Sequence, residues 1–314
     1  MRVKGQHKLK AHRSPWRRRM DLTRHRAGRL DPTVQGLLWS VAAGLCFVLL
    51  NTMTRYLTTQ VPPLQSQFLR YLGGVIVLLP LVLRSGVAAW MPQNIRGQFA
   101  RGLVHATGLA IWFTAIPHIS LSDTTAMGFT TPIFIMLGAW LFLREPMHWE
   151  RWLAAGIGFA GVLIVVGPNL SGQGGWWNLV MLASAPMFAA SFLISKALTR
   201  YESAGVIVLW QSITVTILSL PLALLNWQPV TAAQWAGYLL CGVLGSGAHY
   251  LLMRSYVVAD ISATQSVKFL DLLWAALMGW LVFADVPTSH SLIGGVIIAG
   301  ATLWIARREA RRGS

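Results

Sequence analysis

Lys268 and Asp271 stand three residues apart, the spacing at which side chains on one face of a helix meet, inside a run of otherwise apolar residues. An ammonium and a carboxylate at that separation can neutralise one another away from water, or line a cavity as a charged pair. Asp271 is the candidate coupling group, a carboxylate able to exchange a proton as its pairing with Lys268 changes. Arg70 is another isolated charge in an apolar run, and His105 and His249 are imidazoles in similar settings. Four bases against one acid suit a solute that bears a carboxylate, with Asp271 left to meet an amine. A hydroxyl strip, Thr124, Thr125, Thr130 and Thr131, precedes Pro132, which lacks an amide hydrogen and frees a carbonyl in mid-run. Thr131, at that break, joins the candidate binding residues. Trp112, Trp210 and Trp274 lie deeper in apolar runs than the other tryptophans, and Trp274 joins them too. Beside each binding role stands a bland one: internal salt bridge, packing arginine or satisfied core histidine.

No H-E-x-x-H, P-loop, G-x-S-x-G or Cys–His cluster at metal spacing occurs in the sequence. The residues thus imply no enzyme, no catalytic group, no metal and no cofactor, and uphill movement of a solute would draw on an ion gradient or on exchange. Cys46 and Cys241 read as small core residues. A membrane enzyme built on His118 and Asp123 is the alternative of another class, and it lacks a third partner.

The elements that must position these residues are written in composition. Of 314 residues, 54% are hydrophobic and 11% charged, which excludes a disordered chain and disfavours a soluble enzyme. Ten apolar runs approach bilayer length, at about 34–54, 65–83, 98–116, 122–143, 152–167, 176–196, 205–225, 234–253, 262–283 and 291–306. The net charge of +16 sits at the ends: residues 1–30 carry eleven Lys or Arg and one Asp, and residues 306–314 carry four Arg and one Glu. Nucleic acid is therefore not the expected partner; the bilayer is, with the tails reading as solvated topology signals. Met20 is an alternative start that leaves the tail basic. With both termini in the cytoplasm, 23 of the 26 bases fall on the inner side, among them Arg96 and Arg101, while Arg55 lies outside and Arg70 and Lys268 within spans.

The chain also repeats itself. At an offset of 140, Ser122 to Glu145 lies without gaps on Ser262 to Asp285, pairing Phe129 with Phe269, Trp140 with Trp280 and Glu145 with Asp285. Five spans per half force the second half into the membrane upside down relative to the first, the inverted-topology arrangement associated with alternating access. The expected organisation is a basic tail at 1–30, five-helix repeats at 31–167 and 168–306, and a basic tail at 307–314. Gly156 with Ala160, and Gly295 with Ala299, are spaced as small residues where helices approach closely. Glu145 and Asp285 read as landmarks at span ends.

The stretch AMGFTTPIFIMLGAWLFLREPMHWERWLAAGIGFAGVLIVVGP, residues 126–168, resembles the end of an EamA-type unit of the drug/metabolite transporter superfamily, and FADVP at 283–287 with IGGVIIAG at 293–300 is its degraded second copy. The resemblance covers the chain after residue 30 and implies an all-α integral membrane protein of ten transmembrane helices. It implies an inner-membrane secondary transporter that exports a small polar metabolite. With the in-span bases, a carboxylate-bearing amino acid or amino-acid-derived compound is expected, and an opine-type metallophore would fit. The rival on the same fold is uptake of a vitamin or nucleoside-like cofactor such as riboflavin or S-adenosylmethionine. A homodimer is the assembly this reading allows.

Overall fold

A computed structural model describes residues 31–115, 118–119, 121–146, 148–170, 174–283 and 288–312, with only the backbone at 121–124, 169, 283 and 312. The basic tail at 1–30, Asp285 and the Asp123 side chain lie outside what is described. The helices are α1 (Pro32–Thr58), α2 (Pro63–Ser85), α3 (Ile95–Ala115), α4 (Leu121–Gly128), α5 (Thr131–Leu143) and α6 (Trp149–Val166), then α7 (Trp176–Leu198), α8 (Ala204–Leu224), α9 (Ala232–Val258), α10 (Ile261–Gln265), α11 (Leu270–Phe283) and α12 (Ser289–Arg312). Among the described residues nine stretches are long and apolar enough to cross a membrane. The tenth crossing is α3, which has the length, 21 residues, but carries Arg96, Gln98, Arg101 and His105. The protein is thus an all-α, multi-pass membrane protein of ten crossings.

Two crossings expected to be continuous are broken. The fourth is α4 plus α5 and the ninth is α10 plus α11, with tight turns at Phe129–Thr130 and at Ser266–Phe269. In the first, Pro132 falls in the opening turn of α5, where its missing amide costs nothing. In the second, Asp271 falls in the first turn of α11, where the positive end of a helix favours a carboxylate. Phe129 and Phe269, equivalent in the repeat, stack on each other with centroids 5.9 Å apart and planes 20° apart.

Packing obeys the same exchange of halves. Helix α1 packs on α9 as α7 packs on α3; α2 packs on α9 as α8 packs on α3; α5 packs on α7 as α11 packs on α1; α2 with α8 and α6 with α12 pair with their own equivalents. Two inverted five-helix repeats therefore interlock across a pseudo-twofold axis that runs by the Phe129–Phe269 stack. Small residues seat the crossings: a Cβ on Gly242 would lie 2.3 Å from the Gly73 carbonyl carbon, and one on Gly102, the repeat mate of Gly242, would lie 2.2 Å from Thr214 Oγ1. On α6 the close face is not the expected one. Gly156 and Ala160 are exposed, and a Cβ on Gly156 would meet nothing within 4 Å. Gly158 and Gly161 lie on the buried stripe instead, and a Cβ on Gly294 of α12 would come within 2.6 Å of the Gly161 carbonyl oxygen. At about 100° of turn per residue, a two-residue shift moves a small side chain to the other side of the helix.

Ionic contacts between the repeats gather at one end of the bundle. Both oxygens of buried Glu145 accept from the backbone amides of Ile261 and Ser262, at 2.8 and 3.0 Å, so this landmark caps α10 of the other half. Buried Arg151 on α6 pairs with Glu309 on α12 at 2.9 Å and with Asp260 at 3.1 Å. We expect Gly242→Leu to destabilise the fold by at least the ~1–3 kcal/mol typical of an overpacked site, measured as a lower thermal unfolding midpoint in detergent. The control Gly156→Ala, whose added methyl meets nothing within 4 Å, should not lower that midpoint.

Candidate functional site

Gln98, Arg101 and His105 recur at helical spacing along α3, and the face they share is buried against the second repeat. Arg101 is fully enclosed; its Nη1 donates to the Ile207 carbonyl at 2.7 Å and its Nη2 to Gln211 Oε1, both on α8. Gln211 Nε2 lies 3.3 Å from His249 Nε2 on α9. The His249 ring stands edge-on to His105, centroids 6.0 Å apart. His105 in turn bonds the Tyr71 hydroxyl of α2 at 2.8 Å through Nε2 and the Ser191 hydroxyl of α7 at 3.1 Å through Nδ1. The Arg70 guanidinium lies 5.1 Å from the centre of the Tyr71 ring. Five helices from both repeats thus supply one polar column through the middle of the bundle.

The charged pair adjoins it. Lys268 Nζ is 2.7 Å from Asp271 Oδ2 and 5.2 Å from the centre of the Phe47 ring, and Phe47 meets His249 edge-on at 4.9 Å. Asp271 rests on α1 where Gly44 leaves room: a Cβ there would lie 1.9 Å from Asp271 Oδ1. The spacing of Lys268 and Asp271 therefore does bring them into contact, and Arg70, His105 and His249 fall in one neighbourhood with them. Trp274 sits one turn beyond Asp271, half-buried, with an indole N–H that has no partner among the described residues. Thr131, half-buried at the start of α5, holds the place in the first repeat that Asp271 holds in the second. No described hydrogen bond ties it to the column. Trp210 is not aimed inward: its indole donates to the Trp90 carbonyl at 2.8 Å. His118 stacks on Trp177 at 4.0 Å.

Arg101, expected with the bases of the inner loops, is instead a buried group inside a crossing. Its signal was legible, since Gln98, Arg101 and His105 recur at i, i+3 and i+7. Gln67 and Gln98 were missed as well; both are buried, and neither amide nitrogen nor oxygen has a partner among the described residues. His249 Nδ1 is in the same condition. Buried polar atoms in this state are costly in a fold and mark where a solute can bond. Away from the column, a cleft of about 440 Å³ opens between the ends of α5, α7 and α9, lined by Arg144, Glu145, Lys196, Arg200 and Asp260 among others.

This architecture, ten crossings in two inverted halves around a polar centre, is that of a membrane transporter. The EamA-like transporter family matches residues 34–167 and 175–307, and the chain belongs to that family, within the drug/metabolite transporter superfamily. It is 35% identical over 282 residues to a riboflavin transporter of Rhizobium johnstonii, covering 89% of this chain and 93% of the relative. It is 26% identical to an S-adenosylmethionine uptake transporter of Rickettsia prowazekii, covering 90% and 96%, and 25% identical to a pseudopaline exporter of Pseudomonas aeruginosa, covering 89% and 99%. A solved crystal structure shares the fold with a TM-score of 0.76 at 19% identity, covering 88% of this chain and 98% of that one. The protein is a membrane transporter of small molecules.

Lys268→Met strips Asp271 of its partner inside the bundle, whereas the double variant Lys268→Met/Asp271→Leu removes both charges. The single change should lower the thermal midpoint in detergent more than the double one does, because an unpaired, half-buried charge costs more than an apolar replacement of the pair. Equal losses would mean that the two charges are not coupled.

Proposed function

We propose that the protein is an inner-membrane carrier that takes up riboflavin or a close flavin by alternating access, with both termini in the cytoplasm. The observation that carries this is the 35% identity, over nearly the whole chain, to the R. johnstonii riboflavin transporter. A second riboflavin transporter, from Vibrio cholerae, is 28% identical over 89% of this chain. The interior chemistry supports it. A flavin is a flat, largely neutral heterocycle with alternating donors and acceptors and a chain of hydroxyls. Gln67 and His249 Nδ1 offer buried bonding capacity of both signs, and Phe47 and Trp274 offer aromatic faces. Arg70, His105, Thr131, His249, Lys268, Asp271 and Trp274 are the proposed contact residues. Asp271 is the proposed coupling group, because it is the carboxylate adjoining the column, held by Lys268 at 2.7 Å.

A second reading, export of a carboxylate-bearing, amino-acid-derived metabolite, is favoured by the uncompensated Arg70 and Arg101 and by likeness to the pseudopaline exporter. Expression in a riboflavin auxotroph separates the two. Growth on limiting riboflavin and accumulation of labelled riboflavin in the cells are expected. An unchanged requirement, with a carboxylated metabolite retained inside a deletion strain, would favour export.

Asp271→Asn should remove most of the response of uptake to an imposed pH gradient while residual downhill exchange persists. Full retention of that response in proteoliposomes would exclude Asp271 from coupling.

A further inference from the structure

Arg101 and Arg151 are both buried guanidiniums, and the fold treats them differently. Arg151 is met by two carboxylates, Glu309 and Asp260. Arg101, with no exposed surface, is met by the Ile207 carbonyl and the Gln211 amide oxygen, both neutral, and its Nε has no partner among the described residues. No described salt bridge includes it. A guanidinium removed from water without an opposite charge is strongly disfavoured, so a cation kept there calls for an anion from outside the chain. The surroundings deepen the imbalance. Arg70, at the other end of the same column, has a tyrosine ring and, among the described residues, no carboxylate in ion-pair contact, and Asp271, the acid adjoining the column, is committed to Lys268.

One turn before Arg101 on the same face of α3, Gln98 is fully buried with its amide N–H group unbonded. We propose that Arg101 and Gln98 form a site for a small anion, a halide or a carboxylate group, held between α3 of one repeat and α8 of the other. The N–H groups of a guanidinium and an amide are donors suited to such a ligand. The site stands apart from the flavin reading: the anion is a ligand of the bundle whichever solute is carried.

Because the anion would bridge the two repeats, its binding is read as stabilisation. The full chain, purified in detergent in a bulky sulfonate buffer salt (sodium HEPES) free of halide and carboxylate, is titrated with chloride or with acetate at constant ionic strength, and thermal unfolding is followed. A saturable rise of several degrees is expected with at least one of the two. Arg101→Met and Gln98→Leu should abolish that rise, Arg101→Lys should weaken it, and Arg144→Gln, at the exposed cleft, should keep it in full. Should Arg101→Met not fold, Gln98→Leu, which retains the guanidinium, carries the test. A response to chloride alone assigns a halide, and one to acetate alone assigns a carboxylate anion. No saturable rise in the unaltered protein, or an equal rise in Gln98→Leu, overturns the proposal. Failure of flavin uptake bears on the transport reading and leaves this titration unaffected.

Discussion

A charge or an unbonded polar group carried into an apolar layer must be met there by the protein itself, and in this chain the partner repeatedly comes from the other repeat. Glu145 of the first half caps α10 of the second; Arg151 holds Glu309 and Asp260; Arg101 reaches the Ile207 carbonyl and Gln211; the Ser255 hydroxyl donates to the Gly36 carbonyl at 2.7 Å. Neither five-helix unit satisfies all of its own buried polar groups, so the two are obliged to fold against one another. Lys196 makes a similar bond within the second half, its ammonium donating to the carbonyls of Tyr256 and Ala259 at the end of α9.

From that mutual dependence follows the symmetry of the packing. The most extensive contacts between helices recur with the halves exchanged, and the two broken crossings bring equivalent phenylalanines face to face at the axis. A scaffold of this kind can let either half take the other's conformation with the contact set preserved, which is the structural basis of alternating access. Tight turns inside the fourth and ninth crossings supply places where the chain can bend without breaking a long helix.

The chemistry departs from the symmetry. Lys268 and Asp271 occupy places held in the first half by Gly128 and Thr131, and Arg101 occupies the place held in the second by Cys241. His105 and His249 come within 6.0 Å without being exact repeat mates. The scaffold is shared between the halves, while the polar column is assembled from residues particular to each, as a carrier of an asymmetric solute requires. The small residues keep to the scaffold: Gly242 and Gly102 do the same work on the two sides of the axis.

Run length and the offset of 140 residues determined the number of crossings and the repeat, because each is a property of local composition or of the chain compared with itself, while the stretch 126–168 carried the resemblance to the family. The pairing of Lys268 with Asp271 was legible for the same reason, lying within one helical turn. Which face of α6 packs, why Glu145 is acidic and how deep Arg101 lies were decided only by tertiary structure. Glu145 finds its partners 116 and 117 residues away, and Arg101 finds Gln211 110 residues away. Hydropathy averages over a helix and is blind to the direction in which one side chain points. A single base near a span end reads as a topology signal, and only the neighbour packed against it reveals whether water or protein must balance its charge.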